Sequence, residues 1–169
     1  LVVLASFIHA SWNLLAKRAA PAGPYFVFAY TLIAAMVYAP WVGYLLLTGG
    51  VSWTWAGAGF VLLSAVIHLG YSLFLQRGYQ VADLSVVYPV ARGTGPMLSS
   101  LAAFLLLGES PTAAGLLGLG LVVAGILMIA TQGRLATFST PGGHAGLRWG
   151  TATGGLIARY TVGDAYAVK

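Results

Sequence analysis

Histidine, asparagine and lysine recur at four-residue spacing in the opening segment, at His9, Asn13 and Lys17, with Trp12 beside them. On a helix that spacing gives one polar stripe. An imidazole there can bind a solute or relay a proton near neutral pH, and the plainer alternative is an interhelical hydrogen bond. A second stripe, Ser64, His68, Tyr71 and Ser72, offers the same choice. The stretch "YPVARGTGP", Tyr88 to Pro96, adds a fixed cation, Arg92, among two prolines and two glycines. Two roles fit Arg92: contact with an anionic group of a solute, such as a carboxylate or phosphate, or a clamp on carbonyls that Pro89 and Pro96 deprive of their helical partners. Arg159 and Asp164 stand five apart, a poor helical pairing. Two arginines without an obvious acidic partner favour an anionic or zwitterionic solute; the alternative puts Arg159 nearer an interface. Asp164 is a candidate for proton coupling or an interfacial residue near the end of its helix.

Catalytic chemistry finds no constellation. The three histidines are far apart, there is no cysteine, and no HExxH, paired carboxylates or nucleophile elbow occurs. The stretch "GLGLVVAG" shares only its glycines with a nucleotide fingerprint and falls inside a lipid-length apolar run. No catalytic residue, metal site or cofactor is expected.

The elements that must hold these residues follow from composition. Of 169 residues, 59% are hydrophobic and 7% charged, against about 25% charged in soluble domains; mean hydropathy is +0.88. Eight Lys and Arg with three Asp and Glu cannot cover a soluble globule, so the chain is read as a multi-pass membrane protein. The net charge of +5 comes from cations flanking apolar segments, the mark of topology and not of nucleic-acid binding. The expected partners are a small-molecule solute and the lipid bilayer, no nucleic acid; no oligomeric state is assigned.

Six segments reach or approach the length of a membrane span: Leu1–Ala16, Tyr25–Leu47, Trp55–Leu75, Leu84–Leu107, Ala113–Ala130 and about Leu147–Val168. The fold class is all-α, a polytopic transmembrane helix bundle. A polar, Gly/Pro-rich linker is expected over 132–146. Pro89, Gly93, Gly95 and Pro96 mark a helix break or hinge. Small-residue ladders (Gly95, Ser99, Ala103; Ala114–Gly118; Gly120–Ala124) predict close helix packing. "IHASWN" at Ile8–Asn13 is echoed by "LIARYT" at Leu156–Thr161, pairing Trp12 with Tyr160. Such an echo implies a five-helix repeat, with the sixth helix running opposite to the first, as in inverted-repeat transporters. The chain reads as a piece of a longer one, opening without methionine and closing inside a helical pattern.

The run from Tyr79 to Ile129, "YQVADLSVVYPVARGTGPMLSSLAAFLLLGESPTAAGLLGLGLVVAGILMI", resembles the EamA-type domain of the drug/metabolite transporter superfamily. The resemblance rests on Ala82, Asp83, Tyr88, Pro89, Arg92, Gly93, Pro96, Gly108, Glu109 and Gly118. It implies that residues 1–131 are the first five-helix repeat and 147–169 the first helix of a second, inverted one. The implied protein is a secondary transporter in the bacterial inner membrane, moving a small metabolite by alternating access, with its cavity between the repeats. Arg92, Tyr88, His9, Asn13, His68, Tyr71 and Arg159 are then expected at that cavity. The rival is a non-transporting scaffold or assembly subunit. Orientation pulls two ways: Lys17, Arg18, Arg77, Arg134 and Arg148 put the loops after the odd helices inside, whereas the family places both termini there.

Overall fold

The computed structural model describes residues 1–50, 54–106 and 110–167; Trp53, Leu107, Gly108, Glu109 and Val168 lie outside the described residues. Among them the chain forms six α-helices and no strand: α1 (Val2–Arg18), α2 (Pro24–Leu47), α3 (Trp55–Val81), α4 (Leu84–Leu106), α5 (Ala113–Thr131) and α6 (Pro141–Ala167), with 3₁₀ turns at Ala20–Ala22 and Leu135–Ser139.

Helix ends follow local chemistry. The Thr54 and Thr112 hydroxyls accept from the backbone N–H groups of Gly57 and Gly115 at 3.0 and 3.1 Å, capping α3 and α5. Thr140 does the same for Gly143 at 3.0 Å, ahead of Pro141 at the first helical position, where a missing N–H is harmless. So α6 starts at Pro141 rather than near Leu147: the Thr-Pro start signal lies inside the glycine-rich stretch read as linker. At the α1–α2 turn, Gly23 has φ +54°, and a Cβ there would stand 2.7 Å from Gln80 Nε2. Only glycine suits both the dihedral and the approach.

By length and composition α2, α3 and α5 can each cross a membrane, with hydropathies of 1.6, 1.9 and 2.4. Of the other three, α1 has 17 residues, and α4 and α6 are diluted by glycine, proline and arginine. The packing explains the division. The diluted pair, α4 and α6, pack most extensively against each other, while α5, the most apolar, is exposed along most of its length. In lipid, hydrophobicity covers outer faces and small residues make inner contacts.

α6 lies beside α4 in parallel and against α3 in antiparallel. Gly146 meets Val86 and Gly150 meets Val90, with a Cβ at either glycine 2.7–2.8 Å from the valine Cγ1. Gly154 is pressed on Thr94 and the Ala91 carbonyl, Gly95 on Ile157, and Gly78 of α3 faces Trp149. α1 runs alongside α3, since Asn13 meets Tyr79 and Lys17 meets Ala82; α6 therefore runs opposite to α1. The expected α5 ladder has no such contact among the described residues: a Cβ at Gly118 or Gly120 would meet none of them within 4 Å.

Pro89 and Pro96 sit inside one uninterrupted helix, so the expected break is not visible as a gap. Gly93 packs under Ile126 of α5 and Gly95 under Ile157 of α6. These contacts press α4 between α5 and α6 along the stretch that holds both prolines.

Candidate functional site

Arg92 lies eight residues into α4, about 12 Å along the axis at ~1.5 Å per residue. Val90, Ala91 and Gly93 around it are buried against neighbouring helices, which leaves the guanidinium half-buried and turned toward α1 and α3. Its Nη2 donates to Tyr71 Oη at 3.2 Å and lies 3.3 Å from His9 Nε2. The latter contact is a hydrogen bond when Nε2 is unprotonated, because a guanidinium only donates. Cζ stands 5.9 and 5.7 Å from the ring centroids of Tyr71 and Tyr88, within cation–π range. Among the described residues the acids are Asp83 and Asp164, and neither pairs with Arg92. The partners of this cation among the described residues are a hydroxyl, an imidazole and two aromatic rings.

The cluster opens on a cavity of about 80 Å³ walled by His9, Asn13, Tyr71 and Arg92 on its polar side and Trp12, Phe26 and Tyr30 on its apolar side. That is room for two or three waters at ~30 Å³ each. The apolar wall is a packed aromatic trio, with centroids 5.2–5.8 Å apart: Trp12 stacks on Phe26 and meets the edge of Tyr30. Beside it, His68 stacks on Tyr160 at 4.2 Å, and Tyr160 lies 6.3 Å from Tyr71. The His68 Nδ1–H is directed at the Ser64 carbonyl at 2.9 Å, which leaves Nε2 as the free acceptor.

The structure thus gathers His9, Asn13, Tyr71, Tyr88 and Arg92, and sets His68 at their margin through Tyr160. Arg159 is exposed and lines a separate groove between α3, α4 and α6, with Leu63 and Leu98 opposite; Asp164 is exposed on α6. Lys17 leaves the stripe it was read with. Its Nζ donates to the Tyr79 and Ala82 carbonyls, both at 2.6 Å, and so closes the C-terminus of α3. Asn13, 5% exposed, accepts from Tyr79 Oη at 2.8 Å and donates to the His9 carbonyl at 2.7 Å. It positions His9's helix as well as walling the cavity. Ser99 bonds its own helix at Gly95 and does not reach Arg92.

Five residues at or beside the site carry no signal of their own in the sequence pattern that would mark them for it: Phe26, Tyr30, Gln76, Tyr79 and Tyr160. Tyr30 and Phe26 are aromatics in an aromatic-rich helix, with nothing to single them out. Gln76 and Tyr79 lie beyond the expected end of α3 at Leu75, in a stretch polar enough to resemble a loop. Only together do they signal a helix: Gln76, Tyr79 and Gln80 repeat at helical spacing. In the sequence Tyr160 stands out only as the echo partner of Trp12, and both aromatics adjoin the site.

Across the chain, the model of the EamA-like transporter family matches residues 1–131. The chain belongs to the EamA-like transporter family. Among its relatives, multidrug resistance protein EbrB of Bacillus subtilis (strain 168) is 36% identical over 85 residues, which is 49% of this chain and 68% of that protein. The protein of the same name from Bacillus atrophaeus is 34% identical over 85 residues, with the same shares. No solved structure matches the chain. The EamA-like segment ends where α5 ends, so the tightest packing partner of α4 comes from outside it. As an EamA-like chain with apolar spans, this is a multi-pass membrane protein of the transporter class.

Proposed function

We propose that the chain forms part of a secondary transporter that moves a small anionic or zwitterionic metabolite by alternating access. Residues 1–131 are read as its first repeat and α6 as the opening helix of an inverted second one. The observation that carries this reading is Arg92: a fixed, half-buried cation with no carboxylate partner among the described residues, on the polar wall of a cavity whose other wall is aromatic. An intramembrane arginine is expensive unless it is put to use. A solute carboxylate or phosphate supplies the missing counter-charge, with the Tyr71 hydroxyl as a donor and the His9 ring alongside. When the solute leaves, the same side chains become the guanidinium's partners, so the empty site stays satisfied.

The test is flux. In vesicles holding the full-length protein, wild type should exchange one or more labelled amino acids or short carboxylates. Arg92→Gln should reduce exchange to background with membrane insertion unchanged. Normal exchange by that variant removes Arg92 from the site, and absence of flux for wild type favours the scaffold.

A second reading has one observation behind it. The wall of Trp12, Phe26 and Tyr30 suits an apolar or aromatic group of a solute, and the Bacillus relatives carry multidrug resistance in their name. Arg92 in the same cavity opposes a cationic drug. Efflux of a planar dye cation by wild type, undiminished in Arg92→Gln, would decide for this reading.

A further inference from the structure

At the end of the bundle where α1 and α3 stop, an open cavity of about 490 Å³ is bordered by three cations: Lys17 and Arg18 from α1 and Arg77 from α3. Its floor is the Ala20–Pro21 turn with Tyr79 and Gln80. Among the described residues no acid borders it; Asp83, next to the Ala82 carbonyl that Lys17 holds, is exposed and outside the lining. The cavity is braced by its own polar side chains. Gln80 donates to the Ala20 carbonyl at 3.0 Å and accepts from Arg77 Nη1 at 3.0 Å, which fixes the guanidinium over the turn. Lys17 is committed to two carbonyls and supplies charge. Arg18 is exposed, with no side-chain hydrogen bond among the described residues.

The position identifies the kind of ligand. Arg18 ends a face of α1 built from Leu4, Phe7, Ser11 and Leu14, spaced three and four apart and all exposed. In a membrane protein such a face lies against acyl chains, so the cations sit at the level of the headgroups above it. We propose that this cavity binds the phosphate of an anionic phospholipid, with Arg18 and Arg77 as its ligands and Lys17 as the fixed charge behind them. The lipid tails run down the Leu4–Leu14 face. Phosphate suits the two guanidiniums, whose paired N–H groups match its oxygens. The site is independent of the proposed solute site around Arg92.

The test is lipid retention. The full-length protein, purified in mild detergent after exposure to equal amounts of phosphatidylglycerol and phosphatidylcholine, is weighed by native mass spectrometry. Wild type should keep phosphatidylglycerol preferentially. Each of Arg18→Gln and Arg77→Gln should cut that preference about fivefold, at the usual contribution of one interfacial cation. Arg134→Gln, a cation outside the cavity, should leave it intact. Equal loss in all three variants would mean a diffuse charge effect and overturn the site. Displacement of the lipid by millimolar inorganic phosphate alone would overturn lipid recognition in favour of a free-phosphate site. Both arginines are at the surface, and an unchanged melting temperature separates lost lipid from lost fold.

Discussion

The α4–α6 seam and the α1–α3 seam hold the bundle by opposite means. Along α4–α6, Gly146, Gly150 and Gly154 receive Val86, Val90 and Thr94, and the gain is close contact between backbones. Along α1–α3 the contacts are polar: Tyr79 to Asn13, Gln76 to the Ala16 carbonyl at 3.3 Å, Gln80 to the Ala20 carbonyl, and Lys17 to the end of α3. The first seam tolerates no added atom, and the second tolerates no lost partner. The site lies where they meet, with His9 and Tyr71 on the polar seam, Arg92 on the glycine-packed helix and Tyr160 just behind. Under the proposed transport cycle the polar seam is the one suited to open, because water can replace its partners. Nothing replaces a glycine–valine contact except a void.

Substitutions can break this contrast, beginning with the largest expected effect. Gly150→Leu puts a Cβ 2.8 Å from Val90 Cγ1 and 3.1 Å from the Val87 carbonyl, and should destabilise by about 3 kcal/mol, at the high end for overpacking. Thermal unfolding in detergent reads this directly, and an unchanged melting temperature would mean that the seam is looser than described. Tyr79→Phe strips the donor from a buried Asn13 Oδ1 and should cost about 1 kcal/mol, in the range for interhelical hydrogen bonds in membranes. Pairing it with Asn13→Leu should cost less than the sum of the singles, because both then lose the same bond. Gly118→Leu is the control. With open space around it, the expected change is under about 0.5 kcal/mol, although its spacing on α5 looks much like that of Gly150 on α6.

That last pair shows where sequence reading runs out. A small residue every fourth position permits close approach, but whether a neighbour comes is settled elsewhere in the chain. Gly118 and Gly150 differ only in what faces them. Likewise Lys17 looked like the end of the His9–Asn13 stripe, and it is drawn off by carbonyls 62 and 65 residues away.

The sequence by itself determined the class, the helices and the anomaly: scarcely any charge, runs of lipid length, and one arginine between two prolines. These are local or summed properties, and the bilayer translates them directly into helices. The polar residues of the site were legible individually, as side chains too costly to waste in lipid. Tertiary structure alone decided which of them meet. His9, Tyr71 and Arg92 come from three helices, and their contact depends on how each rotates about its axis. That rotation is set by Gly93 and Gly95 beside Arg92 together with a few glycines on α6 and a few hydrogen bonds at the end of α3, and the latter two groups lie far from Arg92 in the sequence. The same rotations left Arg159 in another groove.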